Sequence, residues 1–457
     1  MYLPQFHEIP ENNEWWGEGF TEWTNVRKAQ PRFAGHYQPH VPGQLGYYDL
    51  RDPETRQAQA ELAKEYGISG FCYYHYWFNG KRLLEHPFNE ILASGKPDYP
   101  FCLCWANENW SRRWDGSEQH ILMGQNYCDA DSLDFINSLV PAFRDERYIR
   151  VNGKPLLLLY RTGLLPDVDR TAQIWREAMI KAGIGDLYLV RVENHMDTVL
   201  GAEPTPDETG FDAAMEFAPY WGSMGEQVKD LSEAGLPAHQ LDENLRVYDY
   251  SRCMQNMLSK PAPPYKLFRG AFPTWDNSAR RKKDPLLFVN STPASYALWL
   301  SQIARYTLDN FAGDERLLFI NAWNEWGEGC HLEPDEENGL GYLEANRLAL
   351  KFAHDAHEAS AKLRSCATSL SGESESWYEQ LSKSYQGKEA LTYEKLDLLG
   401  GFKPFTLGNM PPMVSTEAQD HFERVLKRKD QELSELYNSL SWRITAPLRK
   451  LFDLFFK

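Results

Sequence analysis

The chain has 457 residues, of which 42% are apolar, so it is long enough for one large globular domain and an appended region. Its net charge of −17 and its pI near 5.2 argue against a nucleic-acid partner, because phosphate binding requires a basic surface. We recognise no signal peptide, no CxxC spacing among the seven cysteines and no apolar stretch of the ~18 residues that span a bilayer, which favours a reducing, cytoplasmic setting.

Short apolar runs recur along the chain, and each is followed by polar or aromatic residues and then by a helical pattern. This alternation predicts an α/β fold, a (β/α)8 TIM-like barrel with a C-terminal helical extension. Because the first run begins at the N-terminus, we expect either a short first strand or a start site upstream of Met1. The predicted strands are Tyr2–Leu3, Phe71–Tyr74, Phe101–Trp105, Leu156–Tyr160, Leu187–Val192, Ala213–Phe217, Leu267–Phe272 and Leu317–Trp323.

Amphipathic segments between these runs predict the outer helices at 53–66, 169–182 and 293–310. Thr292 is the expected N-cap of the third, with Pro293 in its first position. The sequence pattern changes after Leu363, so we predict a catalytic barrel over 1–357, a linker or satellite region over 358–416 and a basic amphipathic tail over 417–457.

The tail has eight Lys/Arg against five Asp/Glu within residues 421–457, in a chain that is acidic as a whole. Its end, 441–457, combines basic residues with Trp and Phe, which is typical of a segment lying in an anionic membrane interface. A terminal helix docked on the barrel or on a partner is the equally weighted alternative. We therefore expect a cytoplasmic protein with a peripheral contact to the inner membrane through this segment.

In a (β/α)8 barrel the active site lies at the carboxyl ends of the strands. The residues after the predicted strands are polar and aromatic, although a solvated loop carboxylate is common and each could be structural. Glu18 in the N-terminal region and several of these residues are the candidates for binding an oligo- or polysaccharide. They are Glu18, Tyr76, Trp77, Asn107, Glu108, Asn109, Trp110, Glu193, Asn194, Asn324 and Trp326.

Glu325 and Glu328 follow the last predicted strand and are three residues apart, so one turn places both side chains on the same side. Glycosidic-bond cleavage needs a proton donor for the leaving oxygen and a second carboxylate, and mutual proximity raises the pKa of one of the two. A lone Glu-x-x-Glu is common on solvated helices. The flanking Trp326 and Gly327 favour an active-site loop instead, in which Trp323 and Trp326 form a sugar-binding wall.

Several segments resemble the WbsX family, a glycoside hydrolase family 99-like group of bacterial surface-polysaccharide loci that is often labelled glycosyltransferase. They include the opening Tyr2-Leu3-Pro4-Gln5-Phe6-His7 and residues 15–23, which read WWGEGFTEW. Residues 105–110, which read WANENW, the pair Arg112-Arg113 with Trp114, and residues 324–329, which read NEWGEG, complete the pattern. The resemblance covers residues 1–355.

The resemblance implies a barrel related to retaining endo-α-1,2-mannosidases. It also implies that Glu325 acts as a base on the sugar 2-hydroxyl, that Glu328 acts as acid and base, and that the reaction passes through an epoxide-like intermediate. Residues 439–449 are similar to short tails on bacterial glycosyltransferases of lipopolysaccharide assembly, which implies a setting in O-antigen or capsule production.

A glycosyltransferase that uses a nucleotide-linked or lipid-linked donor is the runner-up. It would need a diphosphate site, such as an Asp-x-Asp metal motif or a basic clamp. Asp129-Ala130-Asp131 and Asp167-Val168-Asp169 match that motif, but both lie where a helix is predicted to start and where Asp is favoured as a cap. Arg112-Arg113 could clamp a phosphate, although paired loop arginines are more often solvated or salt-bridged.

A glycan-binding barrel without catalysis is the third hypothesis, and the retained carboxylate pair argues against it. We expect neither a cofactor nor a metal, because the one His-x-x-x-His match, His36 and His40, contains Pro39 and is a poor helical pair. The sugar, the linkage, the acceptor and the oligomeric state are not encoded in recognisable motifs.

Overall fold

The computed structural model describes residues 1–112, 117–193 and 204–369. The strands are β1 (Phe71–Phe78), β2 (Lys81–Leu83), β3 (Phe101–Trp105), β4 (Trp110–Arg112), β5 (Ser117–Met123), β6 (Arg150–Val151), β7 (Lys154–Leu159), β8 (Tyr188–Glu193), β9 (Ala213–Glu216), β10 (Arg246–Asp249), β11 (Leu267–Phe268), β12 (Gly270–Ala271), β13 (Leu286–Val289), β14 (Phe319–Ile320), β15 (Asn324–Glu325) and β16 (Cys330–His331). The helices are α1 (Pro10–Trp16), α2 (Trp23–Lys28), α3 (Pro53–Glu65), α4 (His86–Ser94), α5 (Asp129–Ser138), α6 (Val140–Phe143), α7 (Val168–Lys181), α8 (Tyr250–Ser259), α9 (Pro293–Asn310) and α10 (Gly341–Ser369).

A mostly parallel sheet forms the centre of the fold. Its strands follow the order β11, β9, β8, β7, β3, β1, β2, and the antiparallel members are β2 at one edge and β6 beside β7. The parallel strands are buried on both faces, which is why they read as continuous apolar runs in the sequence. The fold is therefore mixed α/β with a mostly parallel sheet, which confirms the fold class at this level.

The N-terminal residues lie between β1 and the chain that follows β14. The backbone N–H of Tyr2 donates to the carbonyl of Cys72 at 2.8 Å. On the other side the amino group of Met1 donates to the carbonyl of Ile320 at 2.7 Å, and the N–H of Trp323 donates to the carbonyl of Met1 at 2.8 Å. The predicted first strand is thus a short extended segment that contacts both neighbours.

The seventh predicted strand, 267–272, is divided in the structure. β11 pairs with β9, whereas β12 pairs with β14, and Arg269 separates the two pieces. At this crossing Gly270 lies so close to the neighbouring backbone that a Cβ would be 2.3 Å from the carbonyl oxygen of Glu216. The absence of a side chain at Gly270 allows this approach. The parallel pair β10 and β13 lies outside the sheet and was not predicted.

The outer helices agree with the predicted segments to within one residue. α3, α7 and α9 cover the segments predicted at 53–66, 169–182 and 293–310. The side chain of Thr292 accepts a hydrogen bond from the N–H of Ser295 at 3.1 Å, which confirms the predicted N-cap of α9.

The last helix, α10, runs from Gly341 to Ser369 and passes through the boundary predicted at residue 357. None of the helices in the described part of the chain combines the length and apolarity needed to cross a bilayer. Most of the predicted linker, from residue 370, the tail 417–457 and its membrane-contact segment 441–457 lie outside the described residues, so these divisions remain predictions.

Candidate active site

Glu325 and Glu328 lie on a tight hairpin that follows β14. β15 pairs antiparallel with β16, so that Asn324 faces His331 and Glu325 faces Cys330. A single 3-10 turn, Trp326–Glu328, connects the two strands. It ends at Gly329, whose φ of +54° is the left-handed conformation that glycine adopts without strain. The hairpin fixes the backbone of both carboxylates.

One guanidinium holds three carboxylates at this hairpin. Nη2 of Arg280 lies 2.6 Å from Oε1 of Glu325, and Nη1 lies 3.2 Å from Oε1 of Glu328. Nε of the same side chain lies 3.0 Å from Oε1 of Glu22. Because neighbouring nitrogens of Arg280 contact Glu325 and Glu328, the predicted pair is brought together in space. Three carboxylates around one cation also leave an excess of negative charge.

Gly327, the second of the two residues between the glutamates, has to be small. A Cβ on Gly327 would lie 2.3 Å from Oε1 of Glu22 and 2.9 Å from Nε of Arg280. The backbone of the turn therefore packs directly on the ion cluster, as the glycine-rich loop sequence predicts.

Glu325 is the more deeply buried member of the pair, with 8% of its side chain exposed against 23% for Glu328. The amide of Gln5 donates to both of its oxygens at 3.2 Å. Burial raises the pKa of Glu325 to about 8, although Arg280 opposes the rise, and the negative charges of Glu328 and Glu22 add to it. A carboxylate with such a pKa is a far stronger base than an ordinary glutamate.

Arg280 remains charged in this environment. Burial alone would lower its pKa, but the charges of Glu22, Glu325 and Glu328 outweigh burial and raise the pKa above the usual value. Arg280 is therefore a permanent cation at the centre of the cluster.

Two tyrosines of β1 and the tyrosine that follows β7 lie together on one side of the sheet. Tyr74 and Tyr76 are stacked with ring centroids 6.4 Å apart, and Tyr74 meets Tyr160 edge-on at 5.7 Å. Burial raises the pKa of Tyr76, with Glu325 adding to the rise, which places its hydroxyl in the field of the cluster. Trp110 meets Tyr76 edge-on at 5.1 Å. The structure thus brings Tyr76 and Trp110, two predicted binding residues, to this group.

Glu108 forms an ion pair with Arg161 at 2.5 Å. Its side chain is 31% exposed, so the pair is accessible to a ligand. Burial raises the pKa of Tyr160, and the charges of Glu108 and Glu328 add to the rise. Tyr160 therefore lies in the electrostatic field of both glutamates, and the structure assigns Glu108 to the same region as the catalytic candidates.

Two predicted binding residues, Asn107 and Asn324, form hydrogen bonds with the backbone of neighbouring segments. Asn107 is fully buried; it accepts a hydrogen bond from the N–H of Arg161 at 2.8 Å and donates to its carbonyl at 2.9 Å. Asn324 is also fully buried and exchanges the corresponding pair of bonds with Leu3 at 2.8 and 3.0 Å. Both amides tie neighbouring strand ends together and have their hydrogen bonds satisfied.

Three tryptophans expected to contact sugar are buried instead: Trp323 and Trp326, which were expected to form a sugar-binding wall, and Trp77, a predicted binding residue. Trp326 is 1% exposed, donates its Nε1–H to Glu333 at 2.6 Å and stacks on His331. Trp323 is 2% exposed. Trp77 is 5% exposed, and its Nε1–H donates to Asp131 of α5 at 2.9 Å. Successive side chains of β1 point to opposite faces, so Trp77 faces the helix layer while the adjacent Tyr76 faces the cluster.

The remaining candidates lie elsewhere. Glu193, at the end of β8, contacts Arg191 at 2.8 Å and accepts a hydrogen bond from Tyr265 at 2.6 Å. Asn109 is exposed and accepts a bond from the N–H of Gln125 at 2.6 Å. Glu18 is exposed in the turn after α1. Asn194 lies outside the described residues.

Sequence reasoning did not assign a role to Arg280, Gln5 or Glu22. Arg280 and Gln5 contact Glu325, and Glu22 contacts Arg280. Gln5 and Glu22 lie within the segments that carry the WbsX resemblance, and this was the available signal. Arg280 lies in a loop with no recognised motif, and it reaches Glu22 across 258 residues of sequence.

The two Asp-x-Asp motifs lie at the N-termini of helices. The side chain of Asp167 accepts a bond from the N–H of Arg170 at 2.8 Å and caps α7. Asp129 and Asp131 lie in the first turn of α5, where Asp131 accepts the bond from Trp77. Each acidic pair therefore has a structural role within the helix layer.

A family model described as "Glycosyltransferase WbsX" matches residues 1–346. Over 355 residues the chain is 43% identical to an uncharacterized protein, WxcX, of Xanthomonas campestris pv. campestris, in strains B100 and ATCC 33913 alike. The aligned part is 78% of this chain and 50% of the relatives, so the chain spans about half the length of the curated relatives it matches.

Among solved structures, the chain is similar to a protein described as glycoside hydrolase-like, with a TM-score of 0.45 and 15% identity over 68% of this chain and 89% of the other. It is similar at the same TM-score to the GH99 endo-alpha-mannosidase of Bacteroides thetaiotaomicron, with 12% identity over 79% of this chain and 97% of the other.

Proposed function

The chain belongs to the glycosyltransferase WbsX family, and on that premise we propose that it is a carbohydrate-active enzyme of bacterial surface-polysaccharide metabolism. It cleaves or transfers an α-linked glycosyl unit with retention, using Glu325 and Glu328. The observation that carries the proposal is the ion cluster, in which Arg280 contacts both glutamates and Glu325 is buried with a pKa raised by burial to about 8.

In the first step Glu325 takes the proton of the sugar 2-hydroxyl, and the 2-oxygen attacks the anomeric carbon. The bond to the leaving oxygen breaks, and Glu328 donates the proton that this oxygen needs. In the second step Glu328 removes a proton from a water molecule or from a sugar hydroxyl. The oxygen of that water or hydroxyl then attacks the anomeric carbon. The three-membered ring opens, and Glu325 returns its proton to the 2-oxygen. Two inversions give net retention.

The burial difference between the two glutamates supports this division of roles. The base needs a pKa near neutrality, which burial provides for Glu325. The acid must exchange protons with the leaving group and the acceptor, and Glu328 is the more exposed of the two.

We further propose that the parallel sheet closes into a (β/α)8 barrel. The hydrogen bonds of Met1 to Ile320 and of Tyr2 to Cys72 support this arrangement, as does the pairing of β12 with β14. Glu325 and Glu328 then lie at the carboxyl end of the last strand, where such barrels carry their active sites.

A glycosyltransferase of lipopolysaccharide assembly with a nucleotide-linked or lipid-linked donor is the second candidate, favoured by the description of the family. The engagement of both Asp-x-Asp motifs at helix starts argues against a metal-diphosphate site at either. A glycan-binding barrel without turnover is the third, and a carboxylate pair at an elevated pKa is not needed for binding.

Donor dependence separates these candidates. The purified chain is incubated with the surface polysaccharide of the bacterium that produces it and with α-mannoside and rhamnoside oligomers. Each incubation is carried out with and without nucleotide sugars. We expect reducing ends or transglycosylation products without any nucleotide. Products that require a nucleotide sugar or a lipid-linked donor would establish the transferase, and saturable binding without product would establish the binding protein.

A further inference from the structure

A second cluster lies behind the catalytic hairpin. His40, His331 and Asp335 each place one potential ligand atom within 4.8 Å of the others. In the part of the chain that the structure describes, these residues are the group of His, Cys, Asp and Glu side chains close enough together to hold a metal ion. All three are buried, with 6%, 1% and 4% exposure. His36, the residue at the matched spacing in the sequence, is not a member, because its Nε2 pairs with Asp276 at 2.7 Å.

The distances within the cluster suit a small tetrahedral ion. Nδ1 of His40 lies 2.9 Å from Nε2 of His331, and Oδ2 of Asp335 lies 4.0 Å from the same nitrogen. Zinc bonds to nitrogen and oxygen of ~2.0–2.1 Å give a ligand-to-ligand edge of roughly 3.3 Å in a tetrahedron. The two observed separations lie on either side of that value, and the separation between His40 and Asp335 is at most 4.8 Å, so shifts of up to ~1.5 Å bring the three ligands into place.

The neighbours of the cluster orient two of the ligands. Nδ1 of His331 lies 2.9 Å from the carbonyl of Glu333, which can only accept, so this nitrogen carries the proton and Nε2 presents a lone pair to the cluster. The backbone N–H of Asn338 donates to Oδ1 of Asp335 at 2.5 Å, and its side-chain amide donates to Oδ1 at 3.2 Å and to Oδ2 at 3.1 Å, so Asn338 fixes the carboxylate whose Oδ2 lies on the side of His331. Metal-binding histidines and carboxylates typically have such backbone partners.

The hydrogen bond between the two histidines determines where His40 carries its proton, because Nε2 of His331 can only accept. In the hydrogen bond between them His40 holds its proton on Nδ1. Ion binding moves that proton to Nε2 and needs no net proton release.

We propose that His40, His331 and Asp335 bind one Zn²⁺ ion, with the fourth position taken by water. Two imidazoles and one carboxylate are a ligand set that zinc commonly takes. The ion links the loop of His40 to the hairpin strand β16 and to the turn at Asp335. It thereby braces the hairpin that carries Glu325, and it does so whether or not the proposed sugar chemistry is correct.

Metal content tests the site directly. The full chain is purified without metal-affinity resin, stripped with a chelator, incubated with Zn²⁺ and passed through gel filtration before metal analysis. We expect one zinc per chain, and at least tenfold weaker zinc binding in His40→Gln and Asp335→Asn. The control is His354→Gln, because the exposed side chain of His354 lies 3.7 Å from Glu358 on α10 and tests whether any bound zinc sits at a surface histidine instead. This variant should bind zinc as the wild type does.

Replacement of Zn²⁺ by Co²⁺ tests the site in the wild-type protein, so the result does not depend on whether a variant folds. Wild-type protein with one equivalent of Co²⁺ should show the intense visible bands of four-coordinate cobalt with nitrogen and oxygen ligands. A spectrum of hydrated Co²⁺ alone would overturn the proposal. It would also be overturned by zinc content that is unchanged in folded His40→Gln and Asp335→Asn or lost in His354→Gln.

Discussion

Nη2 of Arg280 lies 2.6 Å from Oε1 of Glu325, although the two residues are 45 positions apart in the sequence. The same guanidinium reaches Glu22 and Glu328, so it determines where three carboxylates lie and how much charge they can hold. Replacing Arg280 by lysine keeps the cation but removes the planar fork that makes three simultaneous contacts.

We therefore expect Arg280→Lys to lower kcat at least tenfold while KM changes less, because the sugar-binding surface is retained. The pH profile should move to higher pH, since a less well paired cluster holds its proton more tightly. Steady-state kinetics between pH 6 and 9 measure both effects. If Arg280→Lys has the kcat and the pH profile of the wild type, Arg280 does not contribute to catalysis. Arg144→Lys, a replacement at the protein surface, is the matched control.

The pH dependence of turnover should follow Glu325. A base must be ionised to act, and burial raises the pKa of Glu325 to about 8. The value of kcat/KM should therefore rise as Glu325 ionises toward pH 8 and fall again at higher pH, because Glu328 must keep a proton to act as the acid. A profile that is flat from pH 6 to 9 contradicts the assignment of Glu325 as the base.

The same pKa predicts a gain in stability when Glu325 is replaced. The pKa is raised above 4.5, the value of an ordinary glutamate, so the folded chain binds the proton more tightly between about pH 4.5 and 8. The stabilising contribution of that proton is lost as the pH rises through this window.

Glu325→Gln removes this dependence, and Arg280 keeps Glu22 and Glu328 as partners. The free energy of unfolding of the variant relative to wild type should increase from pH 5 to pH 8, by roughly 2–4 kcal/mol. Denaturant unfolding at the two pH values measures it. The exposed Glu177→Gln should show no such trend, and an equal trend in both variants would refute the explanation.

Gly327→Ala tests the close packing of the hairpin on the cluster. Its Cβ would lie 2.3 Å from Oε1 of Glu22, so the turn or Glu22 must move. A displacement of about 1 Å at catalytic groups can cost on the order of a hundredfold in rate. We expect such a loss in kcat with native circular dichroism. The control is Gly124→Ala, because the nearest atom to its Cβ would be 3.7 Å away. Full activity in Gly327→Ala would show that the packing is not needed.

Behind the hairpin, Glu333 accepts hydrogen bonds from Trp326 at 2.6 Å, Tyr48 at 2.8 Å and Gln59 at 2.6 Å. An amide in its place would bring an NH2 group toward these donors. We expect Glu333→Gln to lower the free energy of unfolding by about 2–4 kcal/mol, the cost of a broken buried network. Thermal and denaturant unfolding measure it, with Glu177→Gln as the surface reference. A change below about 0.5 kcal/mol would mean that the network does not support the hairpin.

The positions of the central parallel strands could be predicted from the sequence because strands buried on both faces leave continuous apolar runs, as Phe101–Trp105 does. The N-cap at Thr292 could also be predicted, because a helix cap depends on residues that are close together in the sequence. Glu325 and Glu328 stood out through their spacing and their glycines. Arg280 did not, because the contact that matters is set by the tertiary fold.

The errors have physical causes too. Tyr76 and Trp77 are adjacent, yet the alternation of a strand sends one to the cluster and the other to the helix layer. Trp326 follows Glu325 directly, but a tight 3-10 turn directs its indole inward onto His331. Side-chain direction within a loop depends on backbone angles that residue types do not reveal.

The central claim is that Glu325 and Glu328 perform the chemistry, and turnover of the isosteric variants tests it most directly. Glu325→Gln, Glu328→Gln and Glu177→Gln are assayed on the oligosaccharide that the wild type processes, under single-turnover conditions. We expect both hairpin variants to lose at least a thousandfold in the rate of the chemical step while still binding the sugar, and Glu177→Gln to match the wild type. A chemical step that persists at the wild-type rate in either hairpin variant would contradict the mechanism.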